Sequence, residues 1–249
     1  MPSTRVFPFS TAGATLIVEE AGRGDTLFVL VHGIGMGRRV FAELGTHLAQ
    51  HGRVWGIDQP GYGDAPEPRR IPTIERVADM IAALLRARAG GARVVVVGHS
   101  MGAQVAAELG ARHPHLVERL VLAGPSVDPA APTAIGQAVR LARDLAIESP
   151  RVFVRGGREF LRAGPHLRRK MRAMLAHRIA DAVARCPQPV LVLRGTSDVV
   201  SPRAWCAALA FTAADGRLRE IDGHGHETFI RDPAPAAGEI VEFALSAAR

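Results

Sequence analysis

Four consecutive valines, Val94 to Val97, run directly into Gly98-His99-Ser100-Met101-Gly102. A continuous β-branched run, as opposed to an alternating one, is the pattern of a parallel strand covered on both faces. The glycines two positions either side of Ser100 allow a turn with almost no room for side chains. The stretch Met101–Arg112 that follows has helical character. Strand, tight turn and helix in that order lift the Ser100 hydroxyl above a sheet and aim main-chain N–H groups at whatever sits over it.

The same rhythm recurs. Strands are expected at Leu27–Val31, Val54–Ile57, Arg119–Ala123, Pro189–Arg194 and Arg217–Ile221, with a short strand-like stretch at Ala14–Val18. Helices are expected at about Val40–Gln50, from an N-cap at Thr73 to about Arg88, at Trp205–Phe211 and at about Pro235–Ala247. Strands alternating with helices specify an α/β fold, a mostly parallel sheet with helices on both faces. The alternation breaks between about residues 125 and 186, which read as a helical cap inserted over the sheet's C-terminal edge. Residues 1–249 are therefore expected to form one domain, with a core of 1–124 and 187–249. With 47% apolar and 22% charged residues the chain suits a globular protein,. No apolar run approaches the roughly 20 residues of a membrane span. The first residues carry no secretory-type apolar core, so a cytoplasmic location is expected. Cys186 and Cys206 offer neither a disulfide framework nor metal-ligand spacing and read as core residues,.

The net charge of +7 is local. Residues 126–185 hold twelve Lys or Arg against five Asp or Glu, and the rest of the chain has nineteen of each sign. Phe153 and Phe160 are the only aromatics there, which argues against nucleic-acid binding,. Arg151, Arg155, Arg158, Arg162, Arg168, Arg169, Lys170 and Arg172 either present a solvated face, the simpler reading, or face a site that takes an anionic small-molecule substrate.

Ser100 is the expected nucleophile. His32-Gly33-Ile34-Gly35 ends an earlier strand, and its expected task is to set the Ile34 N–H opposite that of Met101 as an oxyanion hole,. A serine hydroxyl needs a base; His224 and His226 compete for that part, and Asp198 or, as a substitute, Asp128 would orient it. Gly33, His99 and Arg38 are candidate substrate contacts. Packing beside the elbow is the alternative for His99, and an exposed helix start the alternative for Arg38. No metal spacing appears among the remaining histidines.

Gly98–Gly102, the His32-Gly33 turn, Asp58-Gln59-Pro60-Gly61-Tyr62-Gly63, the Asp198 loop and Gly225-His226 with Pro233 beyond together resemble the α/β-hydrolase superfamily. In that family the catalytic histidine follows a glycine and precedes a proline about seven positions later, which His226 satisfies and His224 does not. The order Ser, Asp, His also matches. The resemblance implies a cofactor-free serine hydrolase that forms an acyl-enzyme on Ser100, with His226 as base, Asp198 as orienting acid and the insertion as lid. Carboxylester or lactone cleavage leads, followed by thioester cleavage and C–C cleavage of a diketone-like acid. Gly35-Met36-Gly37 lacks the Gly-Pro-Gly of many ring-cleavage hydrolases, which lowers the last. The fold also hosts cofactor-independent oxygenases and ligand-binding receptors.

Overall fold

The computed structural model describes residues 4–129, 166–229 and 232–246. Eight strands form one sheet: β1 (Arg5–Thr11), β2 (Ala14–Gly22), β3 (Thr26–Val31), β4 (Arg53–Asp58), β5 (Arg93–His99), β6 (Arg119–Ala123), β7 (Val190–Gly195) and β8 (Gly216–Ile221). Their spatial order is β1-β2-β4-β3-β5-β6-β7-β8, antiparallel at β1–β2 and β2–β4 and parallel from β4 onward. The helices are α1 (Ala42–Leu48), α2 (Ile74–Arg88), α3 (Met101–Arg112), α4 (Leu167–Ala176), α5 (Ile179–Val183), α6 (Arg203–Thr212) and α7 (Ala234–Leu245).

The valine run shows why the sheet is two-sided. Val94 and Val96 enter the core under α2, α3 and α6, whereas Val95 and Val97 enter the opposite core under α1 and α7. Leu27, Val29 and Val31 of β3 face the first, Phe28 and Leu30 the second. A period-2 strand with both faces apolar needs helices on both sides.

β1 was not expected from the sequence. Its residues alternate between exposed and half-buried, and it carries Pro8. An edge strand paired on one side tolerates a proline and buries little, so its pattern is weak. β2 runs beyond Val18 through Glu19 and Glu20, which pair with Gly56 and Trp55 of β4, respectively. The first helix is shorter than expected, because Arg38–Phe41 form a 3-10 turn ahead of α1. Thr73 does cap α2, its hydroxyl accepting from the Arg76 N–H at 3.4 Å. Within the insertion, α4 and α5 are helical as anticipated. Arg151, Arg155, Arg158 and Arg162 lie outside the described residues.

The chain moves from β3 to β4 on one side and later to β5 on the other. The loops after β3 and β5 therefore depart to opposite faces, the crevice where open α/β sheets take ligands. Strand register aligns the ends: Val31 opposite Gly98, His99 opposite Ala123 and Ala123 opposite Leu193. Each loop that follows starts from one line.

A buried ion pair stiffens this edge. Asp58 accepts from the Arg38 N–H at 2.6 Å and the Asp64 N–H at 2.9 Å, and its carboxylate pairs with the Arg38 guanidinium. Glu19 and Asp64 hold the same guanidinium at 2.9 Å each. Side-chain exposure is 6% for Arg38 and 1% for Asp58, so removing Asp58 takes from a buried guanidinium its one buried counter-charge and leaves the main-chain N–H groups of Arg38 and Asp64 without their acceptor. Asp58→Ala is expected to cost about 3–5 kcal/mol, read as a lower urea midpoint at unchanged slope.

Candidate active site

Ser100 stands at φ 54° and ψ −115°, one of two non-glycine residues with positive φ among those described. Its N–H donates to the Ala123 carbonyl at 2.9 Å, which pins the turn to β6. A Cβ at position 98 would lie 2.2 Å from the Gly102 carbonyl oxygen, and one at 102 would lie 2.0 Å from that of Val31. The motif's glycines are thus demanded by the approach of α3 to its own strand and to β3. A Cβ on Gly33 would come within 3.1 Å of the Ser100 Cβ, so the turn after β3 touches the serine.

That turn is held by His32, which is fully buried. Its Nδ1 donates to the Gly33 carbonyl at 2.8 Å, and its Nε2 accepts from the Gln59 N–H at 3.2 Å. The Gln59 side chain donates to the His32 carbonyl at 2.7 Å. Burial lowers the His32 pKa, which agrees with a neutral ring fixed in one tautomer.

Asp198 and His226 meet on loops after β7 and β8. The Asp198 Oδ2 lies 3.0 Å from the His226 Nδ1, while its Oδ1 accepts from the Val200 and Ser201 N–H groups at 2.8 Å each. Burial alone would raise the Asp198 pKa; the neighbouring His226 and the two main-chain donors outweigh it and hold the carboxyl below its usual value,. Asp128, the substitute acid, is buried on the loop after β6. A Cβ on Gly124, at φ 50°, would fall 2.9 Å from the His226 Cε1 and 3.4 Å from the Asp198 Oδ2. Gly124 follows the residue that holds the Ser100 N–H, so the imidazole and the serine both lie against Ala123-Gly124 at the end of β6. His224 is turned to the loop itself, its ring nitrogens 2.8 Å from the Asp222 carbonyl oxygen and 3.2 Å from that of Asp232.

Comparison with known proteins gives the chain its family. Residues 26–146 match the family model described as alpha/beta hydrolase fold. The chain is 30% identical over 242 residues to a pimeloyl-[acyl-carrier protein] methyl ester esterase of Aromatoleum aromaticum, covering 84% of this chain and 94% of that one. The chain belongs to the α/β-hydrolase fold family. A thermophilic esterase from Thermogutta terrifontis superposes with a TM-score of 0.81 at 22% identity, covering 96% of this chain and 97% of that one. An E-2-(acetamidomethylene)succinate hydrolase gives 0.80 at 22%, covering 98% and 100%.

Two residues offered as substrate contacts are occupied otherwise in this α/β hydrolase. Arg38 is buried and committed to Asp58, Glu19 and Asp64, so it braces the turn beneath the site, and the exposed helix start is corrected with it. His99 is 1% exposed. Its Nε2 donates to the His226 carbonyl at 3.0 Å, and its ring packs 5.0 Å from that of His226 and 5.6 Å from that of Phe229. Burial, then the adjacent His226, pushes its pKa down to about 3, so it stays neutral beside the His226 ring. Gly33 lies against Ser100; Ile34 follows it on the turn after β3, and Met101 opens α3 directly after Ser100.

Several residues take positions that the sequence does not signal. The Ser126 Oγ lies 3.5 Å from the Ser100 Oγ. Arg194, buried in β7, donates to the carbonyls of Asp198 at 2.9 Å and Ser201 at 3.0 Å, holding the Asp198 loop. Lys170 of α4 donates to the Gly61 carbonyl at 2.5 Å and to Glu67 at 3.0 Å, and lies 4.3 Å from the centre of the Tyr62 ring. Tyr62 in turn packs on His32 and reaches the Met101 sulfur at 3.9 Å. Lys170 is therefore an anchor of the insertion, while Arg168, Arg169 and Arg172 are exposed.

Among the described residues one cluster has metal-ligand composition, Glu75, Glu108 and His177. Glu108 already takes His177 at 3.0 Å and Arg185 at 3.1 Å, which makes it an ion-pair network joining the insertion to α3. Both cysteines are buried, and burial pushes their thiols up to about 12, outside nucleophilic use,.

Because the Asp198 carboxyl is depressed, its share of stability is complete above the usual carboxylate pKa and is lost as pH falls through the folded value. Asp198→Asn is expected to flatten that acid loss in pH-dependent thermal melts, since the amide no longer titrates.

Proposed function

We propose that this α/β hydrolase cleaves a carboxylic ester through an acyl-enzyme on Ser100, with His226 as base and Asp198 as its orienting acid. The observation that carries the reading is the Asp198–His226 pair at 3.0 Å, seated on Gly124 beside the strained serine turn. A carboxylate at Nδ1 leaves Nε2 as the proton acceptor and stabilises the imidazolium that forms. Ser100 attacks the carbonyl carbon as its proton passes to His226. The main-chain N–H groups of Ile34 and Met101 receive the developing oxyanion, a contribution of about 3 kcal/mol per donor in sites of this kind. His226 then protonates the departing alcohol, and water, deprotonated by the same imidazole, releases the acid.

The ester class is supported by the relative's methyl ester activity, because that likeness runs nearly end to end in both chains. Thioester or C–C cleavage would use the same three residues, and binding without turnover would not require them.

Hydrolysis of methyl and nitrophenyl esters with acyl chains of two to twelve carbons tests the reading. Ser100→Ala is expected to lower kcat by about 10⁶-fold, with the thermal melt retained. Asp198→Asn should cost about 10⁴-fold through the wrong imidazole tautomer. Ester turnover by Ser100→Ala at the native rate would refute the serine mechanism.

A further inference from the structure

The fold carries a second concave feature, away from Ser100. The turn between β1 and β2, Thr11–Ala14, and the segment Arg69–Thr73 before α2 enclose an open groove of about 820 Å³. Arg69, Arg70 and Arg76 all line it, and all are exposed. Elsewhere the arginines are mostly matched: Arg93 with Glu118 at 2.8 Å, Arg112 with Asp79 at 2.8 Å and Arg194 with Glu220 at 2.5 Å. In the groove no carboxylate among the described residues lies within ion-pair distance of the three guanidiniums. The one acid that lines it, Asp79, is taken by Arg112 and His113 at 2.8 Å each. Three cations in one concavity, with the local acid neutralised, form a positive site without an internal counter-charge. Guanidinium forks match carboxylate and phosphate oxygens in pairs.

Its position ties it to the hydrolytic centre. Ile71 and Pro72 line this groove and also a second, narrow cavity, whose other walls include Tyr62, Met101 and Lys170. Met101 directly follows Ser100. Ile71 and Pro72 thus lie between the arginines and a cavity that reaches Met101, the chain neighbour of Ser100. We propose that Arg69, Arg70 and Arg76 bind the anionic end, phosphate or carboxylate, of an acyl substrate whose ester is cleaved at Ser100. The proposal rests on the ester-hydrolase reading and adds to it where the rest of the substrate lies.

The test compares three sets of methyl esters of matched chain length: monoesters of linear dicarboxylic acids, esters of ω-phosphooxy acids and neutral alkanoates. The variant carries Arg69→Gln, Arg70→Gln and Arg76→Gln, all at exposed positions. The ratio of kcat/KM for anionic over neutral esters is expected to fall about tenfold or more, as loss of charge-assisted bonds implies. The same preference should weaken in the unsubstituted enzyme as salt is raised. Whichever anionic set loses more identifies carboxylate or phosphate as the recognised group. An unchanged ratio would overturn the proposal. Calorimetric binding of the same esters to Ser100→Ala, with and without the three substitutions, reads the groove without turnover. Weaker binding of only the anionic esters supports it, and binding indifferent to the arginines overturns it. Turnover by Ser100→Ala would instead count against the serine mechanism, so the two failures are distinguishable.

Discussion

Ser100 sits at φ 54° because β5 must give way to α3 within one residue, with α3 pressed so close to β3 that position 102 has no space for a Cβ. Positive φ at a non-glycine residue costs of order 1–3 kcal/mol and persists only when its surroundings over-determine it. Here they do. The Ser100 N–H is taken by Ala123, the valine run is gripped by a core on each face, and Gly33 closes on the serine from the neighbouring strand. The remainder of the site is measured from that turn. Ala123 and Gly124 carry the register across to His226, and His99, adjacent to Ser100, supports the His226 main chain from below.

The loops around this turn are irregular backbone at the edge of an apolar core, and each is held by a buried polar side chain with satisfied partners. His32 and Gln59 hold the turn after β3, Arg38 and Asp58 hold the ends of β3 and β4 together, and Arg194 holds the Asp198 loop. Buried charges are poor stabilisers by comparison with apolar packing. What they supply here is position, since each makes bonds to main chain that a methyl group could not make. A site that must keep an imidazole within hydrogen-bond reach of a carboxylate benefits from such bonds.

What was legible in the sequence follows from this. Val94–Val97, Leu27–Val31 and Arg119–Ala123 are buried on both faces, so their apolar runs announced parallel strands without reference to context. Ser100, Asp198 and His226 each stand beside glycines or a strand end, and backbone constraint leaves a mark in composition. β1 left none, because an edge strand around Pro8 buries one half-face. Arg194, Ser126 and Phe229 were illegible for another reason. Their roles depend on which distant loop they meet, and nothing local in a strand residue or a loop serine specifies that. His99 was ambiguous for the same cause: the motif shows that it neighbours Ser100 but not that its ring lies under His226 and is kept neutral.

Charge shows the limit of counting most clearly. The surplus of Lys and Arg lies in residues 126–185, which by count alone reads as a solvated face first and as a place to hold an anion second. Of its basic residues, Lys170 is buried against Gly61, Glu67 and Tyr62, and Arg185 is engaged with Glu108. Residues 69–76 hold Arg69, Arg70 and Arg76 beside Glu75, an unremarkable stretch by composition. They form the open positive groove because the fold sends nearby acids elsewhere, Asp79 to Arg112 and His113, and Glu67 to Lys170. Electrostatic potential at a surface is set by charges left without partners, and pairing is a property of the tertiary structure. A net charge per segment therefore indicates how much cation the chain carries, whereas the ion-pair map indicates where a ligand's charge would be met.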